Sequence, residues 1–210
     1  IVGDGTVSVY RSDYTGFIDT TEGNVGGLVG NILGGGNVND ASANAEIMAE
    51  GAYIGGLIGN ADDGYLSYSH YKGNISNSDD ADYVGGLVGG GYGDSIKINK
   101  SYVKTDYITS SGNKVGGIIG GANINTDSGK VKNVYVIGGL IEGKSEVGGI
   151  IGENGHNITK SYVSTQVNST TGSNSVGVLV GKNGGDATSE NSGEDGSIND
   201  SYWDSSESST

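Results

Sequence analysis

The sequence predicts an all-β fold, a parallel β-solenoid (right-handed β-helix) of about seven coils, each about 30 residues long. Three observations carry this. A glycine motif recurs six times, a second motif alternates with it, and the residues between them form turns. The first motif is Val25-Gly26-Gly27-Leu28-Val29-Gly30, and it returns from Ile54, Val84, Val115, Val147 and Val176. These starting positions are nearly evenly spaced, which is the signature of a repeat array. The second motif has its best copies at Ile98-Asn99-Lys100-Ser101-Tyr102-Val103, from Ile158 and from Ile198, with weaker copies from Val9, Val38, Leu66 and Val131.

Each period thus holds two or three short β-branched runs separated by Gly, Asn, Asp and Ser, which are turn residues, so the runs read as strands. Glycine supplies 42 of the 210 residues, a density that penalises helix by up to about 1 kcal/mol per residue. A propeller blade needs four strands, for which so short a period looks insufficient, so stacked coils are preferred. No composition shift divides the chain, and residues 1–210 read as one repeat domain, part of a longer protein or of an assembly. The strand pattern starts by Val7 and runs to Trp203. Flanks of this size cannot cover a coil, so covalent neighbours or end-to-end stacking on other copies is expected. The stretch from Gly181 to Ile198, rich in small and acidic residues, reads as a solvated loop.

Alternate strand residues face opposite sides, which sorts the second motif. Ser12, Ala41, Ser69, Ser101, Val134, Ser161 and Ser201 form a mostly small column. Two residues on, Tyr14, Ala43, Tyr71, Val103, Val136, Val163 and Trp203 form a mostly apolar one. Both are assigned to the interior. The column between them contains Asp13, Ser42 and His70, costly to bury without partners, so it is assigned to solvent. Tyr102, Tyr135, Tyr162 and Tyr202 extend it as an external ladder. The glycine motif is apolar on both faces of an ideal strand. Either Gly26-Gly27 and their counterparts Gly55-Gly56, Gly85-Gly86, Gly116-Gly117 and Gly148-Gly149 bend the chain so both faces enter the core, or one apolar column is exposed.

Composition excludes several functions. Cysteine and proline are absent, which removes disulfide scaffolds, thiolate metal sites and collagen. With 25 acidic against 11 basic residues the formal charge is −14, so a nucleic-acid partner is not expected. No apolar run approaches the roughly 20 residues of a membrane helix. Arg11 is the single arginine, His70 and His156 are the only histidines, and no carboxylate column repeats across adjacent coils, so no catalysis is expected. His156 sits in a Gly-Asn turn and is read as structural or solvated.

The glycine motif, GGLVG or GGIIG, resembles the GLUG repeat, and Asn199-Asp200-Ser201-Tyr202-Trp203-Asp204 resembles the signature that commonly follows such repeats. The likeness runs from about Val7 to Asp204. Val178 departs from it, standing where the second glycine should be, and suggests a distorted coil. The resemblance implies a stalk or binding region of a large secreted or surface-attached microbial protein, with any catalysis in another domain. The reading is therefore a non-catalytic structural or adhesive segment at the cell surface, meeting surface glycans or proteins through multivalent weak contacts. One alternative is a carbohydrate-binding module in which the tyrosine ladder packs sugar C–H faces; equally, stacked tyrosines stabilise neighbouring coils by about 0.2–1 kcal/mol per pair. Another is a self-stacking filament subunit. No cofactor is expected apart from calcium, for which Asp79, Asp80 and Asp82 are the candidate ligands. Asp62-Asp63 and the run from Asp186 to Asp195 read as solvated turns.

Overall fold

A computed structural model describes the whole chain except residues 1, 5–6, 22, 81, 92–94, 123–128, 174, 185–195 and 205–210. The chain winds through six full turns with part of a further turn at each end, and the described residues contain strands and turns but no helix. Every pairing between successive turns is parallel. Each turn has four strands, as in Gly36–Asn39, Ser42–Ala49, Tyr53–Gly55 and Ile58–Ala61. Equivalent strands stack into four sheets. Sheet 1 contains Val7–Tyr10, sheet 2 Asp13–Thr20, sheet 3 Asn24–Gly26 and sheet 4 Val29–Leu33. Among the described residues sheets 1, 2 and 4 have seven strands each and sheet 3 has six.

Four strands fit into one short period because the glycine motif is two strands, not one. Val84 and Gly85 end a strand of sheet 3, Gly86 and Leu87 turn the corner, and Val88 begins a strand of sheet 4. The bend turns both apolar sets inward. Val84, Leu87 and Val88 are fully buried, as are Val115, Ile118 and Ile119 in the next turn. Glycine is required at the corner because the coils approach there at backbone distance. A Cβ on Gly86 would collide with the Gly117 carbonyl of the following coil and come within 2.8 Å of the Val103 side chain.

The second motif crosses from sheet 1 to sheet 2 through a different corner. Arg11, Asp40, Tyr68, Lys100, Asn133, Lys160 and Asp200 all adopt φ between 47° and 54° there, a left-handed conformation uncommon for residues other than glycine. The small column that follows is buried in the inner coils and satisfies the turn. The Ser101 hydroxyl donates to the Asn99 carbonyl at 3.0 Å and accepts the Ser69 N–H at 3.2 Å. Tyr71, Val103, Val136 and Val163 are buried as assigned, whereas Trp203, in the partial last turn, is exposed.

The unequal spacing of the repeats is absorbed locally. In sheet 2, Tyr102–Ser110 and Tyr135–Gly143 have nine residues where their neighbours have eight, and the pairing shifts between Lys72 and Ile75 and between Ile137 and Leu140. The buried aliphatic of the longer strand is Ile141 rather than Leu140.

Two further expectations are corrected. Strand structure begins at Val2, because Val2–Asp4 pairs with Asn31–Leu33 in sheet 4. The coil with Val178 keeps its register, with Val176 and Gly177 pairing with Val147 and Gly148. A Cβ at Gly149 would strike the Val178 carbonyl above it, but Val176–Gly177 is the last strand of sheet 3 among the described residues. Within them, Val178 therefore has no such carbonyl over it. Residues 185–195 and the flank Ser205–Thr210 lie outside the described residues.

Candidate functional site

Sheet 2 presents the aromatic column in register. Asp13, Ser42, His70, Tyr102, Tyr135, Tyr162 and Tyr202 are successive partners across its seven strands. The His70 and Tyr102 rings lie 4.7 Å apart and 1° from parallel, and Tyr102 and Tyr135 lie 4.7 Å apart and 3° from parallel. Tyr135, Tyr162 and Tyr202 are exposed. Partial burial pushes the Tyr135 phenol above its usual pKa, with Tyr102 beside it adding to the shift. Burial lowers that of His70, helped by Lys72, with Asp13 opposing.

This geometry limits what Tyr102 can do. Both faces of Tyr102 are covered, by His70 on one side and Tyr135 on the other. A sugar ring packing on a free π-face finds none at Tyr102, which meets solvent through its edge. Tyr102→Ala removes two stacked neighbours and is expected to lower stability by about 1–2 kcal/mol. Unfolding in urea with the circular dichroism spectrum as control measures this; an unchanged midpoint would show that stacking contributes nothing to coil association.

Asp79, Asp80 and Asp82 line a cleft of about 540 Å³ together with Glu50, Tyr53 and Tyr83. They do not converge. Asp79 accepts the Asp80 N–H at 2.9 Å, Asp80 pairs with Lys144 at 3.8 Å, and Asp82 accepts the Asn113 side-chain amide at 2.9 Å. Among the described residues no three His, Cys, Asp or Glu side chains gather as a metal site. Asp186 to Asp195 fall outside the described residues.

His156 is buried, with 1% of its surface exposed. Its ring packs against Gly129 of the preceding coil, where any Cβ would overlap it. Its backbone N–H donates to Asn154 Oδ1 at 3.0 Å, but neither ring nitrogen has a side-chain or backbone hydrogen-bond partner among the described residues. Burial pushes its pKa down to about 4, opposed only in part by the Gly155 backbone beside it.

Sequence reasoning missed an ion-pair cluster spanning sheets 3 and 4. Glu153 accepts Lys114 Nζ at 2.9 Å and Lys182 Nζ at 3.1 Å, and Lys182 also lies 3.5 Å from Glu146. Lys114 Nζ donates to the Tyr83 hydroxyl at 2.9 Å and sits 4.6 Å from that ring's centre. Tyr83 in turn stacks on Tyr53 at 4.7 Å. Burial alone would lower the Lys114 pKa, but its bonds to Tyr83 and Glu153 outweigh this and raise it. Burial, with Glu153 nearby, raises that of Glu146. The signal was available: Tyr53, Tyr83, Lys114 and Glu146 each immediately precede a copy of the glycine motif.

Comparison with known proteins adds one relative. Over 55 residues, 26% of this chain, the sequence is 46% identical to halomucin of Haloquadratum walsbyi. That match takes in about 1% of halomucin's length. No family model matches the chain, so the likeness to GLUG repeats rests on the motif residues alone. No solved structure matches it.

Proposed function

We propose that this chain is a non-catalytic structural segment of an extracellular or cell-surface protein, a spacer whose repeated faces make adhesive contacts. The observation that supports this best is the uninterrupted axial stacking of the four sheets. Each coil is covered by the next through backbone pairing and columns of aliphatic side chains, and adding coils lengthens the body without changing its cross-section. The partial likeness to halomucin supports the setting. On the ladder, the covered faces of Tyr102 favour a structural role over sugar stacking.

Labelling of intact cells that carry the gene tests the location, using antibody raised against this chain. Surface labelling before permeabilisation is expected. Labelling that appears only after permeabilisation would overturn the extracellular reading.

A further inference from the structure

Four aligned eight-residue segments, 65–72, 97–104, 130–137 and 157–164, contain seven of the chain's ten lysines and none of its 25 acidic residues. They stack in register, and their outward-facing residues form the surface of sheet 1, the left-handed corner and the first half of sheet 2, while Leu66, Ile98, Val131 and Ile158 point into the core. Lys97 pairs with Lys130 in sheet 1, and Lys72 with Lys104 in sheet 2. Lys100 and Lys160 stand at the corner, and Lys132 lies beside it. The aromatic row His70–Tyr102–Tyr135–Tyr162 runs between the two groups of lysines.

The ion pairing divides the lysines into two sets. Lys114, Lys144 and Lys182, outside this face, each pair with a carboxylate. None of the seven on the face does so among the described residues. Lys97 and Lys100 instead reach back over Tyr65 and Tyr68, with Nζ 4.9 and 4.8 Å from the ring centres. Carboxylates resume at Asp63, which begins the sheet 1 strand that holds Tyr65, at Asp106 and Glu142 farther along sheet 2, and at Asp40, Asp200 and Asp204 on the coils above and below. On a chain of net charge −14 this is a bounded cationic face four coils high, about 14 Å along the axis at the usual strand spacing.

We propose that this face binds an acidic polysaccharide, one with carboxylate groups on its sugar rings. The unpaired ammonium groups supply the charge complement, and Ser67, Asn99, Thr159 and Ser164 between them offer hydrogen bonds to sugar hydroxyls. A nucleic acid suits the face less well. Single-strand binders stack bases on free aromatic faces, and both faces of Tyr102 are covered. The closely spaced phosphates of a duplex would also meet the acidic remainder of the chain. This inference goes beyond the spacer role and stands or falls separately from it.

The test is binding to polygalacturonate, with neutral dextran and single-stranded DNA as comparisons. Binding to polygalacturonate that weakens as salt rises is expected, with no retention by dextran. Lys104→Gln, Lys130→Gln and Lys132→Gln together should weaken it by about tenfold or more, whereas arginine at the same three positions should hold it within about threefold. These side chains are exposed, and circular dichroism checks that both variants fold. No binding to polygalacturonate, equal binding to dextran, tighter binding to DNA, or a glutamine variant that binds as well as the parent would each overturn the proposal.

Discussion

Gly149→Val is expected to destabilise the chain by about 3 kcal/mol or more, while Val178→Gly, the reverse exchange at the equivalent corner, changes little. A Cβ on Gly149 would overlap the Val178 carbonyl and come within 2.7 Å of Val163 Cγ1. Neither can withdraw. Val163 is fully buried in the core, and the corner around Val178 is tied to the coil below through its bonded neighbours, since Ile150 N–H donates to Leu179 O at 2.8 Å. Gly86→Val meets the same obstruction from Gly117 and Val103 and should behave like Gly149→Val. The penalty comes from the coil above rather than from the residue's own conformation, which is why Val178 is tolerated. Urea midpoints of the three variants measure this. Two valine variants as stable as the parent would refute the close-approach account of the motif.

The same reasoning shows which parts of the fold could be read in advance. The glycine motif was legible because a backbone-to-backbone contact permits only one residue type, and every inner coil repeats it. The buried columns through Val103 and Val136, and the outward column through Tyr102 and Tyr135, followed from strand alternation alone. The left-handed corner did not. Of its seven residues only Asp40, Asn133 and Asp200 belong to the types that favour positive φ, and Tyr68, Lys100 and Lys160 adopt it because the coils on either side impose it. The strand count is hidden for a related reason: Val-Gly-Gly-Leu-Val looks like one strand until stacking bends it. The partners of Glu153 come from other coils, and the unpaired lysine face became visible only once 65–72, 97–104, 130–137 and 157–164 were aligned in space. The sequence places His156 in a turn, structural or solvated; its burial depends on Gly129, which belongs to the preceding coil.

That burial makes the stability of the chain depend on the protonation of His156 in acid. An unfolded histidine titrates near 6.5, whereas the folded one stays neutral down to about 4. Between those values the unfolded chain binds a proton that the folded chain does not, so acid favours unfolding. Above pH 6.5 or so the site adds no pH dependence; the loss grows as pH falls and is complete once the folded pKa is passed. The shift corresponds to about 3 kcal/mol. Among the described residues no carboxylate bonds to either ring nitrogen to offset the charge. His156→Leu removes the titration while keeping the site apolar. Carboxylates elsewhere titrate in both proteins and cancel in the comparison. Urea unfolding of parent and variant at pH 7.5, 5.5 and 4 should therefore show the parent losing about 3 kcal/mol relative to the variant across the series. A difference between the two proteins that stays constant with pH would mean that the imidazole gains a proton in place, through a water or a carbonyl such as that of Gly155, and that the pocket is not closed to solvent.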